Sequence, residues 1–188
     1  MRGQRATPDL VTQYPEIEGA NHAHTLVHML LRTKRLTLRP VTPDDHATLL
    51  AHWTSPQVRA FLFDGEVLSP EAVTQVIEET PHLWLVHDGE AVAGTVALRP
   101  LEDLGLEVVY SLEPGAWGRG YATEAARAVV EHALTTLGLP EVLAEVDEGN
   151  LASIRVVERL GMRPFERVEG LLGPMVRFRT LPINEERA

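Results

Sequence analysis

The feature that most limits how this chain can fold is a glycine-rich junction, Pro114-Gly115-Ala116-Trp117-Gly118-Arg119-Gly120, placed between a strand pattern and a long helical one. Residues 106–112 (Leu-Glu-Val-Val-Tyr-Ser-Leu) have the β-branched and aromatic make-up of a strand. Residues 121–137 then run as a helix, ended by Gly138 and Pro140. Glycine lets a backbone approach a ligand closely. The amides of a helix's first turn lack internal partners and attract anions. Together these properties predict a phosphate or pyrophosphate cradle that opens the helix at Tyr121.

The flanking patterns set the surroundings. Arg35-Leu36-Thr37-Leu38-Arg39 alternates as a half-buried strand does. Two helices follow, each opened by a hydroxyl cap and a proline, Thr42-Pro43 and Ser69-Pro70. Leu83-Trp84-Leu85-Val86-His87 is a strand, Asp88-Gly89 a hairpin signal, and 91–98 the partner strand. After the junction and its helix come a strand at 141–146, a short helix from Asn150 to a stop at Gly161, and strands at 163–168 and 175–181. The order is β, two helices, three antiparallel strands, helix, strand, helix, two strands. It describes one α/β (α+β) domain over 32–188, with a mostly antiparallel, mixed and twisted sheet flanked by helices. Residues 1–31, interrupted by Pro8, Pro15 and Gly19, read as an N-terminal extension that is partly ordered at best, and Met29 is an alternative start.

Three ligand classes compete for the junction. A nucleotide P-loop has the spacing of Gly115 and Gly120 but needs lysine where Tyr121 stands. A dinucleotide fingerprint fits Gly118 and Gly120 but needs glycine at Thr123, inside a βαβ unit that the antiparallel strands do not supply. Coenzyme A remains. The segment resembles the pyrophosphate loop of the GNAT acyltransferases, Gln/Arg-x-x-Gly-x-Gly/Ala, with Gly120 and Ala122 at its last two fixed positions and Trp117 departing at the first. The unbroken run Trp117-Gly118-Arg119-Gly120-Tyr121-Ala122-Thr123-Glu124-Ala125 is similar to the ribosomal-protein N-acetyltransferase (RimJ/RimL-like) branch. Asn150-Leu151-Ala152-Ser153, followed by Gly161-Met162, resembles that family's Asn-x-x-Ser helix. The element order also matches, so the resemblance covers about 33–181.

The resemblance implies an N-acetyltransferase that moves an acetyl group from acetyl-coenzyme A, its cosubstrate, to a primary amine by direct transfer in a ternary complex. It implies pyrophosphate on the amides of Gly118, Arg119, Gly120, Tyr121, Ala122 and Thr123, with Trp117 in the same loop; the Arg119 side chain is expected to meet phosphate, solvation being the alternative. Main-chain contacts to pantetheine would come from Tyr110, Ser111 and Leu112, as in strand addition. Asn150 would reach the pantetheine arm and Ser153 would lie near the thioester sulfur. A backbone amide of the central strand would hold the oxyanion. An alkylammonium must lose a proton before it attacks. Glu107 is the candidate base, acting through water, although an exposed strand glutamate accounts for it equally well. Many family members carry a tyrosine acid at the position of Val157. Its absence leaves Ser153, a water, or an unaided thiolate, with Ser153 the candidate. It also keeps open a non-catalytic acyl-coenzyme A binding or sensor module.

Composition narrows the partners. With 27 acids, 17 bases and a net charge of −10, the chain repels nucleic acid and suits cationic acceptors such as a peptide N-terminus or a small-molecule amine. No run approaches the ~20 apolar residues of a membrane span, and no secretory pattern opens the chain. Cysteine is absent, which removes thiolate chemistry and Cys-based zinc sites. The expectation is a cytoplasmic enzyme without metal, its acceptor and its state as monomer or homodimer open. His22, His24 and His28 read as a chance cluster and His87 as solvent-facing. Trp53, Phe61 and Phe63 are candidates for the acceptor pocket, and Trp84 for the core.

Overall fold

The computed structural model describes residues 29–181. Eight strands form one sheet: β1 (Leu31–Arg32), β2 (Thr37–Pro40), β3 (His82–Asp88), β4 (Ala91–Leu101), β5 (Gly105–Leu112), β6 (Leu143–Asp147), β7 (Arg163–Glu169) and β8 (Pro174–Arg179). They lie in the order β1-β2-β3-β4-β5-β6-β8-β7. Every neighbouring pair is antiparallel except β5 and β6. Four α-helices accompany the sheet: α1 (His46–Thr54), α2 (Pro70–Glu79), α3 (Tyr121–Thr135) and α4 (Leu151–Arg159). This is the expected α/β architecture. The extension and its three histidines fall outside the described residues up to residue 28, while Leu31 already pairs with Leu38 and the Met29 carbonyl accepts the Trp84 indole N–H at 2.8 Å.

Both faces of the central strands are covered, which explains why 83–86 is an unbroken apolar run rather than an alternating one. Trp84 and Val86 point into a core with Tyr121, Ala126 and Val129 of α3 and Val157 of α4. Leu83 and Leu85 point the other way, onto Leu49 and Trp53 of α1 and Val73 of α2.

Local chemistry sets the helix starts. Ser69 accepts from the Ala72 amide at 3.2 Å, with Pro70 at the first helical position. Asn150 accepts from the Ser153 amide at 3.1 Å and so caps α4. The Thr42 amide and hydroxyl both donate to Asp45, which also takes a two-pronged contact from Arg39 at 2.9 and 2.7 Å. His87 differs from expectation. Its Nε2 is buried without a hydrogen-bond partner, at a point where the β3–β4 register shifts between Val86 and His87.

Candidate active site

Strands β5 and β6 are in register at one pair, Glu107 with Leu143, and then part. A parallel pair that separates leaves the edge of β5 unpaired and opens a wedge in the middle of the sheet. Two clefts meet in this wedge. One, of about 640 Å³, runs over the junction loop and α4, and the other, of about 370 Å³, runs over the β6 side. Phe61, Leu62, Tyr110, Asn150 and Ser153 line both.

The larger cleft holds the junction. Gly118 and Gly120 have φ of 73° and 77°, the left-handed region where an L-residue costs about 1–2 kcal/mol. A Cβ on Gly118 would meet nothing within 4 Å, so the loop turns an open backbone face outward. Gly120 caps α3, and Tyr121, Ala122 and Thr123 form its first turn. The Thr123 hydroxyl is buried there with no partner, an orphan donor beside the orphan amides of the helix start. This donor set fits a pyrophosphate. The loop is braced from behind: the Tyr121 hydroxyl donates to Asp88 at 2.7 Å, and Arg35 pairs with Glu124 and donates to the Arg119 carbonyl at 3.0 Å.

Some expected contacts are placed differently. Arg119, expected against phosphate, instead pairs with Asp88 at 3.1 Å and stacks over the Tyr121 ring. The cations that face the cleft are Arg155 and Arg159 of α4. Their four-residue spacing within the Asn150 helix was the available signal. The Trp117 indole donates to the Leu112 carbonyl at 2.9 Å, so that main-chain acceptor has a donor within the chain. Tyr110, Ser111 and Leu112 pair with β4 through Val96, Thr95 and Gly94, and their other edge faces the wedge.

The smaller cleft is acidic. Glu66, Glu107, Glu145 and Asp147 line it with Arg99; Glu107 pairs with Arg99, and Glu145 pairs with Arg177 at 2.6 Å. The Glu107 side chain is 3 % exposed, which removes the reading of an exposed strand glutamate. Its carboxylate takes Arg99 Nε at 2.8 Å and the Glu145 amide at 3.2 Å, bridging β5 to β6 where their pairing ends. Burial raises its proton affinity, and Arg99 offsets this only in part, so the group sits above the ordinary value of 4.5. A carboxylate shifted in this direction is a better base near neutrality. Phe61 is half exposed at the mouth. Phe63, at φ 53°, sits edge-on to the buried Trp53, 5.4 Å between ring centres. Trp84 belongs to the core, as expected.

At the meeting point of the clefts, the Tyr110 and Ser153 hydroxyls are 2.7 Å apart. Val157 is fully buried in the core beneath them, so no proton donor stands at that position.

One partly buried polar chain escaped the sequence. His52 contacts Glu113 through Nδ1 at 2.6 Å and the Ser111 hydroxyl through Nε2 at 2.8 Å; Ser111 contacts Thr95 at 2.8 Å, and the Trp53 indole donates to Thr95 at 3.4 Å. It ties α1 to the end of β5, directly before the junction. His52 and Glu113 are 61 residues apart, so no local spacing reveals the pair.

Comparison with known proteins gives the same answer. Residues 35–163 match the family model described as an acetyltransferase (GNAT) domain. N-acetyltransferase p20 of Bacillus licheniformis, itself uncharacterized, is 26% identical over 169 residues, covering 80% of this chain and 95% of that protein. The RimL ribosomal L7/L12 alpha-N-protein acetyltransferase in complex with coenzyme A superposes with a TM-score of 0.71 at 13% identity, over 82% of this chain and 98% of that one. Spermidine N-acetyltransferase from Vibrio cholerae, in complex with coenzyme A and spermine, gives 0.68 at 17% identity, over 80% and 97%. The wedge between β5 and β6, the glycine junction and the family match together place this chain in the GNAT acetyltransferase family.

Proposed function

We propose that the chain transfers an acetyl group directly from acetyl-coenzyme A to a cationic primary amine, with the donor in the larger cleft and the acceptor in the smaller one. The observation that carries this reading is the opposite charge of two clefts that share Tyr110, Asn150 and Ser153. Arg155 and Arg159 line the first with no carboxylate among its described lining residues; four carboxylates and one guanidinium line the second.

The protein's groups divide the work. The amides from Gly118 to Thr123 and the Thr123 hydroxyl hold pyrophosphate. The open edge of β5 takes the pantetheine amides at Tyr110 and Ser111. Glu107 accepts the proton of the acceptor ammonium, through water, and Arg99 stabilises its charged form. The nitrogen lone pair then forms the C–N bond, a β5 amide holds the oxyanion, and the C–S electron pair leaves on sulfur beside Ser153. No step requires a metal.

RimL acts on a ribosomal protein and the Vibrio enzyme on spermidine. Both classes, a peptide N-terminus and a small polyamine, are cationic and suit the acidic cleft. Among the described residues no helix is long and apolar enough to cross a membrane.

A second reading rests on Val157: without a proton donor there, the chain binds acyl-coenzyme A and does not turn it over. Free-thiol release from acetyl-coenzyme A, with peptides, polyamines and aminoglycosides as acceptors, separates the two. Release with a cationic acceptor supports transfer. Confirmed coenzyme binding with no release across the panel supports the binding module.

A further inference from the structure

A half-buried hydroxyl pair sits at the crossing of the clefts. Tyr110 Oη lies 2.7 Å from Ser153 Oγ and 3.3 Å from the Ser153 carbonyl. The first distance is ordinary for O–H···O and the second is long. That carbonyl, inside α4, also serves the helix's own i+4 ladder. Either hydroxyl can donate across the 2.7 Å contact; with the phenol as donor, the Ser153 proton is free to point into the crossing. The Asn150 side chain meanwhile fixes the Ser153 amide at 3.1 Å. Ser153 is thus held from both sides, backbone by Asn150 and hydroxyl by Tyr110.

We propose that Tyr110 is a positioning residue that orients and polarises the Ser153 hydroxyl as a hydrogen-bond donor to the departing sulfur, in place of the proton donor that Val157 cannot be. The inference rests on the assignment of Ser153 made above. As the C–N bond forms, the C–S pair moves onto sulfur and Ser153 O–H donates to it, while Tyr110 O–H donates to Ser153 Oγ. Both hydroxyls keep their protons. The surplus proton of the attacking nitrogen passes to solvent, and the thiolate takes one from water after release. Burial pushes the Tyr110 phenol up to about 12, far above the ~8.5 of a thiol, so transfer of its proton to the thiolate is uphill. Donation without transfer is the role such a group can fill. A chain of two donors polarises more strongly than one alone.

The test is a double-mutant cycle read by thiol release with the best acceptor, using Tyr110→Phe, Ser153→Ala and both together. Tyr110→Phe is expected to lower kcat about tenfold, the loss of roughly one net hydrogen bond, and to leave the KM for acetyl-coenzyme A within about twofold. In the Ser153→Ala background the same change is expected to do nothing further. Replacing Tyr110 by fluorinated tyrosines should raise kcat as the phenol becomes more acidic, and only when Ser153 is present; a purely structural tyrosine would not respond. Ser153→Thr, which keeps the hydroxyl, should restore most of the rate lost in Ser153→Ala. Additive losses, or a normal kcat in Tyr110→Phe beside a slow Ser153→Ala, overturn the role of Tyr110 and spare that of Ser153. A normal kcat in Ser153→Ala overturns the assignment of Ser153 itself.

Discussion

The two clefts lie on either side of one parting strand pair, and the chain builds them by different means. The proposed donor cleft is made by backbone: left-handed glycines, helix-start amides and a strand edge, with Arg155 and Arg159 added from α4. The proposed acceptor cleft is made by side chains: Glu107 buried between strands and paired with the exposed Arg99, Glu145 and Asp147 on β6, and Phe61 and Phe63 in the segment after α1. Backbone recognition reads what all coenzyme A molecules share. A side-chain cleft can change with few substitutions, and fold does not choose its ligand. Changes in one cleft should therefore leave the other's ligand unaffected, and this separation can be tested.

Glu107→Gln should show the largest effect. Glutamine keeps an acceptor for the Glu145 amide, so the bridge between β5 and β6 survives while the base is lost. The expected result is a kcat lower by about 100- to 10,000-fold, the usual range for a general base. Coenzyme binding stays unchanged by calorimetry. Loss of coenzyme binding in this variant would break the comparison.

Gly120→Ala acts on the other side. A left-handed alanine costs about 1–2 kcal/mol, so coenzyme affinity should fall about tenfold. Acceptor KM should not move.

Smaller effects are expected from Arg155→Gln and Arg159→Gln, each raising the coenzyme KM a few-fold at low salt. The difference should shrink as ionic strength rises, because exposed charges are screened over ~8–10 Å. An unchanged acceptor KM would sharpen the division.

The subtlest effect is on pH. As the proposed base, Glu107 would have to be ionised to act, and burial raises its proton affinity, so kcat/KM should rise with pH through a limb above the ordinary glutamate range. Arg99→Ala removes the neighbouring cation, which disfavours the carboxylate further and moves that limb to higher pH. The same shift couples to folding: stability tied to the Glu107 proton is full below its ordinary 4.5 and is lost as pH rises through the raised folded value. Glu107→Gln should flatten that slope in a series of thermal melts.

The legibility of the sequence follows the same division. The junction 114–123, the Asn150 cap and the strand carrying Glu107 were readable because glycine, cap and strand signals are local. Arg119 was assigned to phosphate because local pattern does not show that Asp88, across the β3–β4 hairpin, takes it. The acidic character of the second cleft was hidden for a similar reason. Glu66, Glu107 and the β6 pair Glu145 and Asp147 come from three separate places, which only the tertiary fold brings to the wedge. The chain from Glu113 through His52 to Ser111 is likewise tertiary. What the sequence did settle at the crossing is an absence, Val157 where a donor is usual.

The most direct test of the division is to measure coenzyme affinity and the single-turnover rate of acetyl transfer at saturating coenzyme, in both Gly120→Ala and Glu107→Gln. The expected result is a crossing: Gly120→Ala binds weakly but transfers at the wild-type rate, and Glu107→Gln binds normally but transfers slowly. If either variant moves both quantities together, the two clefts are not separate donor and acceptor sites.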